Sequence, residues 1–287
     1  MNALISLAGE THRGYTHSWN KVSMRNSVII ALAALLALGA PVQAQSAREL
    51  LLDGKEMLED AANQDDQDKL LEVRALFEQA INDDSLAILG HYYAASAASE
   101  LANILWELDD STHRRKVLEF VNYAIDHLKA ATDRDEAFAE GWVMLAAAYG
   151  QKMTVRPLSA VFLGPRFSKA MSRARNIEPA NPRVVLLKAI TDYNLPGIVG
   201  GSKRRAVEGL HRATRLFADQ VVADPILPSW GHDQAYARLG IAFMDQGDLE
   251  SARTSFERAL EINPDFGWVK HTLLPSLEEL EAASVEN

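Results

Sequence analysis

After residue 45, apolar side chains recur at three- and four-residue spacing almost to the C-terminus, and no stretch alternates strictly enough to make a strand. This periodicity limits the chain to helices that each bury one stripe. The spacing predicts helices near 46–62, 68–82, 84–107, 113–131, 136–150, 166–177, 182–194, 202–220, 233–245, 249–262 and 266–283. Short breaks containing Gly, Pro, Asn or Asp separate most of them. Short links join antiparallel neighbours, so the helices are expected to pair into hairpins and the hairpins to stack. At 48% hydrophobic and 24% charged residues, the chain has ample material for such a core.

The pairing is clearest in DQAYARLGIAFMDQGDLESARTSFERALEINPDF, Asp233 to Phe266. Tyr236, Leu239, Gly240 and Phe243 share one face of its first helix. Ala252, Phe256 and Ala259 share one face of its second, and Pro264 ends the unit. Small Gly240 and Ala252 let two backbones approach, and the large residues fill the gaps. A degraded copy runs from 139 to 181. Trp142, Leu145, Ala146 and Tyr149 repeat the first-helix pattern, and Phe167, Met171 and Ala174 precede Pro179 at the offsets by which Ala252, Phe256 and Ala259 precede Pro264. A third unit covers 182–224, and two looser pairs precede these at about 46–82 and 84–132.

In length and signature, residues 233–266 resemble the tetratricopeptide repeat. The stretch NPRVVLLKAITDYNLPGIVGGSKRRAV, followed by LPSWGHDQAYARLG, also resembles a group of bacterial repeat proteins with a Gly-Gly loop inside one hairpin. A looser similarity runs to the periplasmic repeat subunits associated with TRAP-type transporters. The resemblance implies an all-α, tetratricopeptide-like solenoid of about five helical hairpins with a C-terminal capping helix. It also implies a concave groove that takes a peptide or protein, and no catalytic activity.

The N-terminus reads as a targeting segment. Arg25 precedes the apolar run VIIALAALLALGA at 28–40, and Val42-Gln43-Ala44 fits a small-residue cleavage site before Gln45. The polar stretch ahead of it suggests translation from Met24. The run is short for a membrane span. Residues 45–287 are therefore expected to be periplasmic or secreted, with no stable membrane span after cleavage. There is no cysteine, so disulfides and thiolate metal sites are excluded.

Charge is distributed unevenly. Between Lys152 and Arg215 there are 13 basic residues and three acidic ones, Glu178, Asp192 and Glu208. The rest of the expected mature chain is strongly acidic. Within the basic stretch lies NLPGIVGGSKRRAV, residues 194–207. It is not a phosphate loop: lysine follows serine in Gly201-Ser202-Lys203, and the preceding segment has a helical pattern. Pro196 is expected to end one helix, Gly200 and Gly201 to make the turn, and Ser202 to cap the next helix.

Elsewhere no G-x-S-x-G elbow or H-E-x-x-H occurs. No catalytic residue, metal ligand or cofactor is expected. Asp65-Asp66-Gln67-Asp68 reads as an acidic turn, and Asp233 as a helix cap beside Trp230. An insertion, MTVRPLSAVFLGPR, separates the helices of the 139–181 unit and is unusually apolar for a surface loop. It is expected to pack into one end of the groove, leaving Arg156 and Arg166 for an acidic or carboxylate-bearing partner. Lys203, Arg204 and Arg205, with Tyr193 and Trp230, complete the candidate binding residues. The sequence thus points to a non-enzymatic scaffold for a protein or peptide, with no role for nucleic acid. The alternative is a periplasmic binding component that captures a small anionic ligand for a transporter.

Overall fold

A computed structural model describes residues 45–108 and 113–285. The leader and cleavage expectations, on residues 1–44, lie outside the described residues. The described residues form eleven α-helices and no strand: α1 (Ala47–Asn63), α2 (Gln67–Ala80), α3 (Ala87–Glu107), α4 (Arg114–Arg134), α5 (Ala139–Val155), α6 (Ala160–Ile177), α7 (Pro182–Asn194), α8 (Lys203–Ala218), α9 (His232–Met244), α10 (Leu249–Ile262) and α11 (Leu274–Val285). Successive pairs from α1–α2 to α9–α10 are five stacked hairpins. After a π-turn at Val269–Leu273, α11 packs on α10 as the cap. The expected all-α solenoid is the observed fold.

Local chemistry explains most boundaries. Ser46 and Glu49 form a capping box at α1, with Ser46 N–H donating to Glu49 Oε2 at 2.8 Å. Asp66, from the acidic turn, caps α2. Asn181 caps α7, where Pro182 occupies the first turn and needs no N–H partner. Asp248 caps α10 after Gly247 turns the chain at φ 77°. Asp233 is not a cap. Helix α9 begins one residue earlier, after Gly231 at φ 109°, a conformation that glycine adopts without strain. The Asp233 carboxylate instead accepts from Asn263 Nδ2 at 2.8 Å.

Small-against-large packing holds the hairpins close. A Cβ on Gly240 would lie 2.3 Å from the Phe256 ring, and Ala252 is fully buried beside it. The first hairpin uses the same device, since a Cβ on Gly54 would lie 2.5 Å from the Phe77 ring. The ends of the array also meet. Asn63 at the end of α1 and Asn263 at the end of α10 exchange side-chain hydrogen bonds, and a Cβ on Gly267 would lie 2.1 Å from the Asn63 carbonyl oxygen. The first and last hairpins are therefore in contact.

The apolar insertion is not a loop. Helix α5 continues to Val155, a single 3-10 turn spans Pro157–Ser159, and α6 begins at Ala160. The hairpin is lengthened at its tip. Pro165 lies within the first turns of α6, where it removes one hydrogen bond to the carbonyl of Val161. Val161 is largely exposed, so water can serve that carbonyl. Val155 and Leu163 are buried at the base of the tip, whereas Leu158, Val161 and Phe162 are exposed rather than packed into a groove.

Candidate functional site

The first helix of each hairpin lines the inner face of the stack. Residues 220–231, which connect α8 to α9 without regular structure, cross part of that face and are tied down along their length. From α1, Arg48 holds Asp224 through two hydrogen bonds of 2.8 and 3.0 Å, and Lys55 Nζ donates to the carbonyls of Pro225 and Leu227. From α3, the Tyr93 hydroxyl donates to the Ile226 carbonyl at 2.7 Å. Trp230 Nε1 donates to the Tyr92 hydroxyl at 2.8 Å. Burial lowers the Lys55 pKa and raises those of Tyr92 and Tyr93, so both phenols keep their protons.

Arg183 of α7 is the centre of this arrangement and is 1% exposed. Its Nε donates to Glu140 Oε1 of α5 at 2.9 Å. Nη1 donates to Gln220 Oε1 at 3.2 Å and the Trp230 carbonyl at 3.0 Å, and Nη2 to the Pro228 carbonyl. The guanidinium also faces the rings of Phe217 and Trp230. Burial pushes the Glu140 carboxyl above its ordinary pKa, while Arg183 and Asn181 favour its charged form. A fixed planar fork suits this fan of partners better than an ammonium could. Sequence reasoning did not single out Arg183. The available signal was a cation in the first turn of an apolar helix, where the helix dipole disfavours it. Trp230, a candidate binding residue, belongs to this internal network and holds the segment to the stack.

The loop of the α7–α8 hairpin is likewise structural. Gly200 N–H donates to Gly197, Gly201 N–H to Pro196 and Ser202 N–H to Asp192, and Ser202 Oγ caps α8 by accepting from Arg205 N–H. Four N–H groups of the turn and helix start are thus spent on the chain itself. Lys203 pairs with Asp245 at 2.6 Å and lies over the Tyr193 ring, whose hydroxyl also donates to Asp245. Arg204 pairs with Glu208 at 2.6 Å, and Arg205 reaches the Gly200 carbonyl and Asp192. Tyr193, Lys203 and Arg205 thus meet at one edge, each with a partner.

Arg156 and Arg166 lie at the tip of the α5–α6 hairpin. Arg166 borders a surface cleft of about 630 Å³ with Lys129, Lys152, Asp126 and Tyr149. Among the described residues, no carboxylate comes within ion-pair distance of Lys152, Arg156, Arg166 or Lys169. No group of His, Asp or Glu suited to a metal ion occurs among the described residues.

The inner face not crossed by residues 220–231 has a different character. Glu100 and Glu107 of α3 face Arg238 of α9 closely enough to influence its ionisation, and Asp65 raises the pKa of both glutamates. Burial is the largest cause in each case, raising the two carboxyls and lowering the arginine. Arg238 lies 4.6 Å over the Trp268 ring, and no carboxylate among the described residues is within 4.0 Å of it. Glu107 is exposed and Glu100 and Arg238 are half-buried, so all three charges remain within reach of a partner. Sequence periodicity had placed these residues only on helices.

One titratable pair lies apart from both regions. His91 of α3 and His127 of α4 approach with Nδ1 atoms 3.1 Å apart, among Glu78, Arg74, Asp126 and Arg134. Burial, then His127, lowers the His91 pKa to about 4, and burial lowers that of His127. A depressed histidine pKa means that the unfolded chain binds the proton first, so stability is full above about 6.5 and falls with acidification toward 4. The loss attributable to His91 is expected to be about 1–2 kcal/mol after allowance for its partial exposure. Urea denaturation at pH 7.5 and 4.5 should show a smaller acid loss in His91→Gln than in the wild type. An equal loss in both would refute the assignment.

Comparison with known proteins agrees with this architecture. Residues 234–266 match the family model of the tetratricopeptide repeat. The HusA haemophore from Porphyromonas gingivalis superposes with a TM-score of 0.55 at 20% identity, over 71% of this chain and 96% of that one. A thermophilic tetratricopeptide protein of Thermus thermophilus gives 0.47 at 16% identity, over 82% and 100%. At 20% identity the likeness to the haemophore concerns the fold alone. No curated protein sequence matches the chain. Residues 234–266 thus carry a tetratricopeptide repeat, set within five stacked helical hairpins and their cap.

Proposed function

We propose that the protein is an exported, non-catalytic scaffold that holds a partner polypeptide in the open part of its inner face, between α3 and α9. Stacked helical repeats present such faces as preformed binding surfaces, which lowers the ordering cost of association. The observation that carries the reading is the mouth formed by Glu100, Glu107 and Arg238. Glu107 is exposed, Glu100 and Arg238 are half-buried, and none has an ion-pair partner among the described residues, so a polypeptide with basic groups would reach the carboxylates while a carbonyl or carboxylate met Arg238. Residues 220–231 occupy the neighbouring part of the face, which confines a partner to this mouth. An anion-capturing role for a transporter has less support, because the donors around Ser202 and the cations Lys203 and Arg205 are already engaged. The signal-like leader of the sequence supports export.

The test is site-specific photo-crosslinking in the producing cell. A benzophenone side chain at position 103, exposed on α3 between Glu100 and Glu107, should give protein adducts that Glu100→Lys reduces. The same group at position 257, on the outer helix α10, should give none. The processed chain should be recovered outside the cytoplasm with Gln45 at its N-terminus. Equal adduct patterns at both positions would remove the mouth as the binding surface.

A further inference from the structure

We propose that the tip of the α5–α6 hairpin docks the protein onto an anionic phospholipid surface. Leu158, Val161 and Phe162 are 90%, 74% and 75% exposed there. Three large apolar side chains on one protruding turn are costly in water and are uncommon without a partner. They also lie on a projection. Helices α5 and α6 have 17 and 18 residues, against 13 and 16 in α7 and α8 and 21 each in α3 and α4, so the tip reaches beyond the hairpin that follows it but not the one before. A projecting apolar knob fits a yielding lipid layer, whereas a peptide ligand needs a recess.

The charge around the tip selects the kind of lipid. From residue 152 to residue 177 there are six basic residues and no acidic one. Lys152, Arg156, Arg166 and Lys169 surround the apolar knob, and among the described residues Asp126 is the one carboxylate lining the adjoining cleft. Cations without ion-pair partners around exposed aliphatic and aromatic side chains are the chemistry of interfacial binding. The apolar groups enter the boundary between headgroups and acyl chains, and the cations meet the phosphates.

The same edge continues at the next hairpin. Hairpin turns alternate between the two edges of the stack, so residues 195–202 lie on the edge that bears the α5–α6 tip. Ile198 is 95% exposed there, beside Lys203, Arg204 and Arg205. The preceding hairpin has Glu107 with exposed Trp106 and Leu108 at the end of α3 and exposed Arg114, Arg115 and Lys116 at the start of α4, so basic and apolar side chains continue along this edge. The remainder of the protein is acidic and would be repelled by an anionic surface, which orients the tip toward it. No helix among the described residues is long and apolar enough to cross a membrane, so the contact is at the surface.

The test is co-sedimentation of the protein, as recovered from the producing cell, with vesicles of phosphatidylglycerol and phosphatidylcholine in equal parts, and with vesicles of phosphatidylcholine alone. The wild type should bind the anionic vesicles and lose binding as salt rises. Leu158→Ser/Phe162→Ser and Arg156→Glu/Arg166→Glu should each weaken binding roughly tenfold or more. These side chains are exposed, so thermal melts should match the wild type and exclude misfolding as the cause. Comparison within one chain cancels any contribution from the N-terminal segment. Failure of the wild type to bind anionic vesicles would overturn the proposal. So would binding that neither variant weakens, or tip variants that lose a protein partner while no variant differs in lipid binding.

Discussion

Arg183→Met is expected to destabilise the protein by about 3–5 kcal/mol, the range for removing one partner of a buried ion pair. The substitution strands the Glu140 carboxylate in a site from which water is largely excluded. It also removes the donors that hold Gln220, Pro228 and Trp230 against α7. Residues 220–231 should therefore become sensitive to protease before the helices do. The double variant Arg183→Met/Glu140→Leu separates charge from anchoring. If the unpaired carboxylate dominates, the double variant should recover at least about 1 kcal/mol over the single. If anchoring dominates, both should remain equally weak and equally sensitive in 220–231. An unfolding midpoint for Arg183→Met indistinguishable from wild type would mean that this network holds nothing.

Gly201→Ala is the second large effect. A Cβ there would lie 1.7 Å from the Leu195 carbonyl oxygen, a backbone atom that cannot swing aside. The turn must open, and the hydrogen bond from Ser202 N–H to the Asp192 carbonyl at 2.7 Å is strained with it. A cost of about 2–3 kcal/mol is expected, as for overpacking that shifts the backbone. Gly200 offers an internal control. It has φ 97° in open space, so Gly200→Ala meets no atom and should cost about 1–2 kcal/mol for the left-handed conformation alone. Thermal melts of the two variants should rank Gly201→Ala as the less stable. The reverse order would show that backbone conformation, not close approach, requires the glycine pair.

That residues 194–207 turn and start a helix was legible in the sequence. Pro196, the two glycines and Ser202 each act locally, within a few residues of their own position, as turn and cap chemistry does. The insertion at 151–166 was misread for the converse reason. Gly164-Pro165 and Arg156-Pro157 are breakers by local rule, but one falls early in a helix and the other fits a single 3-10 turn. Val155 and Leu163 then find buried places at the base of the tip, which favours continued helix over a loop. The apolar character of the stretch was read correctly, and its direction was not, because nothing in the residues states whether a tip bends inward or projects.

The candidate residues divide along the same line. Lys203, Arg204 and Arg205 were found as a cluster, but their partners Asp245, Glu208 and Asp192 include one 42 residues away. Trp230 was singled out for its neighbours in sequence, while its indole N–H meets a hydroxyl 138 residues earlier. Glu100 and Arg238 were read only as polar positions on helices, because neither carries a local motif.

By itself the sequence determined the helices, their pairing and the repeat at 233–266, since 3.6-residue periodicity, glycine against phenylalanine and helix-ending prolines are interactions between residues close along the chain. The tertiary structure alone decided that the array meets itself at Asn63 and Asn263, that residues 220–231 run inside it, and that Arg183 is buried among their carbonyls. These features depend on how small rotations between successive hairpins accumulate over the whole stack. That sum is set by many packing contacts at once, so it is written at no single position in the chain.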